Sequence, residues 1–223
     1  MKHAVFAATL LITMAFAFAA SAQGAFDLNQ PGVGKEAGTF MLRGRAIGVW
    51  PLNADSSVST LGGEVTANAQ AAPEADLSYF ITDNIAVELI AATTRHEVAA
   101  KNTSLGQVDV GSVWVLPPTL TLQYHFLPKS AFSPYVGAGI NGTIFYDTHP
   151  ARPTVTHVSF DSNVGAAIQA GFDYNIGGHW FANFDMKQIF LSTTAHLTTA
   201  LGSVTAKTDL DPLVVGAGIG YRF

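Results

Sequence analysis

The 223-residue sequence contains no cysteine, and that one absence removes disulfide frameworks, zinc–thiolate sites and thiol catalysis together. Charge is scarce too. Asp, Glu, Lys and Arg make up 12% of the residues, about half the share of an average globular domain, so a soluble surface would be short of the groups that hydrate it. With 11 Lys and Arg against 16 Asp and Glu, the chain lacks the clustered basic footprint of a nucleic-acid binder, and no nucleic-acid partner is expected. After the N-terminal segment there is also no apolar run of the roughly 20 residues that a spanning helix needs. A membrane location would therefore require a closed barrel, in which strands satisfy one another's backbone polar groups.

What is present begins at the N-terminus. Lys2 supplies a short positive segment, residues 4–19 are almost wholly apolar, and Ala20-Ser21-Ala22 has the small-x-small pattern of a cleavage site. Residues 1–22 are expected to be a signal peptide cleaved near Ala22. An irregular periplasmic leader is expected at 23–38, where Gly24, Pro31, Gly32 and Gly34 break any periodicity. Residues 39–223 are expected to form the folded domain.

That domain alternates with period two. In 211–223, Leu213, Val215, Ala217, Ile219, Tyr221 and Phe223 share one face, while Val214, Gly216, Gly218, Gly220 and Arg222 share the other. A soluble sheet would bury the first face; a membrane barrel would turn it toward lipid. Similar stretches occur at 39–50, 76–82, 85–95, within 114–126, and at 132–144, 162–174 and 180–187. Between them, 51–73, 96–113, 145–160 and 189–208 are long, polar or rich in small residues, and read as loops. Asp83-Asn84, 127–131 and 175–179 are short turns. Long loops on one rim and short turns on the other are the rhythm of outer-membrane barrels. A soluble sandwich or lipocalin-like barrel would need a charged exterior, which this composition does not supply. The expected fold class is all-β: an eight-stranded antiparallel transmembrane β-barrel of the outer-membrane type, with outer-membrane lipid around it.

Aromatic residues fall where two interfacial bands would need them. Tyr79, Tyr124, Phe126, Phe132, Phe172, Tyr174, Trp180, Tyr221 and Phe223 lie near the short-turn ends, and Trp50, Phe145, Tyr146 and Phe190 near the opposite ends. On the inward phase lie Arg43, Arg45, Asp76, Glu88, Gln123, His125, Asp173, Asn183, Asp185, Lys187 and Arg222. Both signs occur, so a paired network that satisfies buried charge is expected, in preference to an ion-selective path through so narrow a bore. Leu61, Trp114, Phe145 and Leu197 are the apolar loop residues placed to form a hydrophobic entrance. Pro117-Pro118 cannot donate to a strand ladder; the pair either ends a strand or marks a candidate lateral opening in the wall. His96, His149, His157 and His196 show no ligand spacing, so no metal is expected. Without a Gly-x-Ser-x-Gly or His-Glu-x-x-His pattern, neither a cofactor nor catalysis is expected.

The hairpin Asp76-Leu77-Ser78-Tyr79-Phe80-Ile81-Thr82-Asp83-Asn84-Ile85-Ala86-Val87-Glu88, the segment Leu116-Pro117-Pro118-Thr119-Leu120-Thr121-Leu122-Gln123-Tyr124-His125-Phe126, the stretch Ser133-Pro134-Tyr135-Val136-Gly137-Ala138-Gly139 and the terminal Gly218-Ile219-Gly220-Tyr221-Arg222-Phe223 resemble the outer-membrane protein W (OmpW/AlkL) family. The resemblance covers nearly all of the mature chain. Its Pro-Pro-Thr strand and Thr-Asp-Asn turn are the more specific signals. A C-terminal aromatic strand, here with Tyr221 and Phe223 as the assembly signal for the barrel-assembly machinery, is shared by many outer-membrane barrels. The resemblance implies an integral outer-membrane barrel with a narrow, partly apolar interior. It also implies passage of small hydrophobic solutes across the outer membrane; the alkane-import protein AlkL belongs to this family. The alternative function is a structural or adhesive surface barrel with a plugged bore and partner-binding loops.

Overall fold

The computed structural model describes residues 34–52, 56–58, 64–104, 106–199 and 202–223. The expected signal peptide, most of the leader and Leu61 lie outside the described residues. The strands in chain order are β1 (Phe40–Pro51), β2 (Ser56–Val58), β3 (Glu64–Ala67), β4 (Gln70–Phe80), β5 (Ile85–Ala92), β6 (Thr94–Thr103), β7 (Gly106–Leu116), β8 (Thr119–His125), β9 (Phe132–Pro150), β10 (Val155–Phe160), β11 (Asn163–Gly177), β12 (Trp180–Phe190), β13 (Ser192–Thr199), β14 (Gly202–Asp209) and β15 (Pro212–Arg222).

Eight of them, β1, β4, β5, β8, β9, β11, β12 and β15, pair antiparallel in that cyclic order. The first and last close the wall over a continuous register from Met41↔Arg222 to Pro51↔Pro212. Closure leaves no unpaired edge in the hydrocarbon, which is what a spanning sheet requires. The alternation settles which way the faces point. Leu42, Leu77, Leu89, Leu122, Ile140 and Ile219 are 44% to 59% exposed, while Arg43, Asp76, Glu88 and Gln123 are buried. Apolar side chains therefore face outward and polar ones inward. Each large outward side chain, surrounded by hydrocarbon rather than water, contributes about 1.5–3 kcal/mol.

The inward glycines of β15 are the room that the β1 arginines occupy. A Cβ at Gly220 would stand 2.9 Å from Arg43 Cγ and 3.3 Å from the Leu42 carbonyl oxygen. Gly220→Val is expected to destabilise the folded barrel by about 1–3 kcal/mol, as overpacking does. The urea midpoint followed on a heat-modifiability gel checks this; an unchanged midpoint would show that Arg43 can move aside without cost.

At the short-turn rim the aromatic band forms as the sequence places it. Phe40 and Tyr79 rings lie 4.7 Å apart, Tyr124 and Phe126 5.2 Å, and Trp180 and Tyr221 5.0 Å. On the opposite side Trp50 and Tyr146 are exposed. Phe145 departs from that band: it faces inward and packs on Phe160 at 5.4 Å.

Where described, the four long connections are strand for most of their length rather than loop. The outer half of β9 continues beyond the wall and pairs with β7 from Leu116↔Ile144 to Gly111↔Pro150. From there β7 pairs with β6, and β6 with β3; β10, β13, β14 and β2 form a second sheet. Apolar residues of the two sheets, among them Val65, Val98, Val113, Val158, Leu197 and Val204, join in one buried cluster. Period-two patterning runs through these segments, but with Val, Ala and Thr in place of large residues. The polarity of the Thr-rich face made them read as loops, whereas Thr and Val are strand formers that suit a half-buried pleat.

Candidate functional site: a charged plug beneath an apolar cavity

The barrel interior divides into two layers. The lower layer, toward the short turns, is an ion-paired plug. Arg43 on β1 contacts Asp76 at 2.8 Å on one side, Glu88 at 3.2 Å, and Asp173 through Nη2 at 3.1 Å; it also donates to Ser78 at 2.6 Å. Two residues on, Arg45 meets Glu74 and Asp76, each at 2.8 Å, and donates to Asn183 at 3.1 Å. Lys187 lies 3.5 Å from both Glu74 and Asp185. Asp185 accepts a 2.9 Å bond from Tyr135 Oη, and Gln169 donates to Glu88 at 2.8 Å. All these charged groups are buried. Their mutual pairing is what makes so much buried charge tolerable, since an unpaired ion in a low-dielectric interior costs several kcal/mol or more.

The N-terminal segment completes this layer. Lys35 is fully buried, with Nζ 2.7 Å from Asp173, 2.9 Å from Ser133 Oγ and 3.1 Å from His125 Nδ1. Its backbone N–H donates to Pro128 O at 2.8 Å, and the Gly38 N–H to Phe80 O at 2.8 Å, so the backbone is tied to the rim while the side chain stops the mouth. An ammonium can only donate. His125 Nδ1 must therefore accept, which leaves Nε2–H to donate to Gln123 Oε1 at 3.1 Å.

Above the plug lies an apolar cavity of about 90 Å³. Its walls include Ile47 and Val49 of β1, Ile90 of β5, Val113 and Val115 of β7, Ile189 of β12 and Val214 of β15. Glu74, Lys187, Thr119 and Thr143 border it, and Val65, Val98 and Phe160 link it to the outer two-sheet cluster. Pro117 is part of the lining. The two prolines stand between β7 and β8. On one side their carbonyls are held: Pro117 O accepts from Asn141 Nδ2 at 3.1 Å and Pro118 O from the Gly142 N–H at 2.9 Å. On the other side β8 pairs with β5 only as far as Ile90↔Thr119, and β7 with β6 only from Thr94↔Val115. Neither proline has an N–H to close the interval, so the ladder is interrupted where the wall meets the cavity.

Ten of the eleven interior residues named from the sequence, Arg43, Arg45, Asp76, Glu88, Gln123, His125, Asp173, Asn183, Asp185 and Lys187, are buried in the bore. Arg222 is half-buried at the rim, with its guanidinium 5.8 Å from the Phe181 ring centre. The entrance residues scatter. Phe145 lines the cavity and Leu197 belongs to the outer cluster. Trp114 faces the other way: with Val113 and Val115 pointing inward, it lies on the opposite face of β7 and stacks on Tyr146 at 6.3 Å. Sequence reasoning missed Lys35, Glu74, Ser78 and Tyr135. Glu74 and Ser78 share the phase of Asp76, and extending that strand two residues back, short of Pro73, would have found Glu74. Nothing in the leader marks Lys35.

His96 also borders the cavity, in the outer sheets. Nδ1 lies 3.0 Å from Asn68 O and Nε2 2.9 Å from Thr94 Oγ1, a set that one neutral tautomer satisfies. Burial holds its pKa below the ordinary value, with the Asn68 carbonyl opposing in part. The folded protein thus binds its proton less readily than the unfolded chain, and stability is full above about pH 6.5 and declines as pH falls from there through the folded pKa. Histidine NMR in bicelles is expected to give His96 a midpoint below that of a free imidazole; a midpoint at or above it would contradict the buried, neutral state.

A closed eight-stranded wall with an apolar outer face, aromatic residues at its rims and a charged interior defines an integral outer-membrane β-barrel. The sequence pattern of the OmpW family matches residues 36–223, and the chain belongs to that family. It is 41% identical over 215 residues to the uncharacterized outer-membrane protein y4mB of Sinorhizobium fredii, covering 93% of each chain. It is 30% identical to outer membrane protein AlkL of Ectopseudomonas oleovorans, covering 89% of this chain and 80% of AlkL. The crystal structure of OprG from Pseudomonas aeruginosa superposes with a TM-score of 0.81 at 29% identity, covering 86% of this chain and 98% of OprG. The family is one of outer-membrane barrel proteins, not of enzymes.

Proposed function

We propose that this barrel takes small hydrophobic solutes into its outer cavity and passes them across the outer membrane by way of the wall rather than the bore. The observation that carries the reading is an apolar cavity of about 90 Å³ resting on an ion-paired plug. A solute without polar groups gains nothing from entering a layer of ion-paired charges, and displacing those pairs would expose each to the cost of burial alone. The interrupted ladder at Pro117-Pro118 offers the shorter way out, into lipid. Phe145 and the cluster around Leu197 serve as the apolar approach from outside. Tyr221 and Phe223, at the end of the closing strand, act as the signal read by the assembly machinery.

The test is entry of a short alkane or of indole into proteoliposomes with and without the folded protein, after heat-modifiable migration confirms the barrel. Faster entry with protein is the expected result. The plug also favours a second reading, a structural or adhesive surface barrel whose outer sheets bind a partner. Equal entry rates with a folded barrel present would select it.

A further inference from the structure

The cavity is apolar but not uniformly so. Thr94, Thr119, Thr143, Thr193 and Thr208 all contribute to its lining. The hydroxyls of the first four are engaged with protein partners: Thr94 with His96 Nε2 at 2.9 Å, Thr119 with Pro117 O at 3.0 Å, Thr143 with Asn141 Oδ1 at 2.6 Å and Thr193 with Asp161 O at 2.9 Å. Thr208 differs. It is 2% exposed, and its Oγ1 has no hydrogen-bond partner among the described residues. The pairing of β14 with β13, Thr193↔Thr208, fixes the phase of the strand, so the side chain cannot turn to the other face without breaking the ladder. The remaining charges on the lining, Lys187 and Glu74, face each other at 3.5 Å and belong to the plug.

A buried hydroxyl left without a partner is destabilising, and the natural remedy is a partner supplied by the occupant. A plain hydrocarbon cannot supply one. A molecule with the same apolar body and one oxygen can: a ketone accepts from the Thr208 hydroxyl, and an alcohol either accepts or donates. We propose that Thr208 is a specificity-determining residue that binds the single oxygen of a small, otherwise apolar solute, so that the cavity favours short ketones and alcohols over hydrocarbons of the same size. The proposal rests on the cavity being the solute site and names the class of solute it prefers. One neutral hydrogen bond in such a place corresponds to about a three- to tenfold preference.

The experiment titrates hexane and 2-hexanone into methyl-labelled protein in bicelles, reading the shifts of Leu191 and Val214, which share the cavity lining with Thr208. Affinities are referred to the solute concentration within the lipid, which removes the difference in partition. The native protein is expected to bind 2-hexanone about three- to tenfold more tightly than hexane. Thr208→Val, near in shape and relieved of the unpaired hydroxyl, is expected to fold, to keep its affinity for hexane and to lose the preference; Thr208→Ser is expected to retain it. A preference that survives in Thr208→Val, or none in the native protein, overturns the role of Thr208 and leaves the cavity reading standing. Absence of any shift with either solute overturns the cavity reading and this proposal with it.

Discussion

Asp173→Leu is expected to destabilise the barrel by about 3–5 kcal/mol, the cost of breaking a buried ion pair by removing one partner. Asp173 contacts Lys35 at 2.7 Å, accepts from both Arg43 Nε and Nη2 at 3.1 Å, and accepts from Asn183 at 2.9 Å. Its removal leaves the Lys35 ammonium in a closed space with neutral neighbours, hydrogen-bonded to Ser133 and His125 and 5.8 and 5.9 Å from the Phe80 and Phe181 ring centres. Arg43 suffers less, because Asp76 and Glu88 remain beside it. The asymmetry makes a second expectation. Adding Lys35→Met to Asp173→Leu should recover a large part of the loss, since the double change deletes both members of the pair, and a double-mutant cycle measures that recovery directly. Urea unfolding in micelles, followed by heat-modifiable migration, reads both. A cost under about 1 kcal/mol for Asp173→Leu would place the plug among the weakly contributing ion pairs typical of exposed surfaces, against its burial here.

Replacing Pro117 and Pro118 together by Val is expected to slow entry of a small apolar solute by about tenfold, equivalent to about 1.4 kcal/mol on the barrier, while leaving assembly unchanged. The carbonyls that Asn141 and Gly142 bind are retained in the variant, so the β9 side of the wall keeps its bonds. What changes is that the chain gains two N–H groups: the one at position 118 lies beside the carbonyl that Gly142 binds and adds a bond toward β9, and the one at position 117 is free to reach into the interval on the other side. On the outer surface near that interval, Thr93 Oγ1 and Tyr146 Oη are 2.6 Å apart, a contact that involves neither proline. Unchanged solute entry in a folded double variant would rule out the wall as the exit and direct attention to the bore.

The transmembrane architecture was legible because it is written in local alternation and composition. Val215 to Phe223 alternates strictly, and the scarcity of charge decides that the apolar face meets lipid. The inward charges follow from the same phase: once Arg43 and Arg45 share a face, so do Asp76 and Glu88 on theirs, and an eight-stranded bore brings opposite signs into reach. The outer sheets were less legible, since small and Thr-rich strands carry the period without the hydrophobic contrast that makes it conspicuous. Trp114 shows how far a single residue of phase matters, for a shift of one along β7 exchanges the cavity for the outer surface.

Sequence alone determined the strand number in the wall, the sense of its faces and the residues that would need ionic partners, because each depends only on period-two geometry and on the cost of burying charge. Tertiary structure alone decided three things. Lys35 stops the rim, though its segment has no periodicity to place it. The apolar cavity draws its walls from strands far apart in the chain, so no local pattern encodes it. Thr208 keeps a free hydroxyl while Thr94, Thr119, Thr143 and Thr193 do not, because hydrogen-bond satisfaction depends on which neighbours strand pairing brings within about 3 Å, a distance that no linear sequence records.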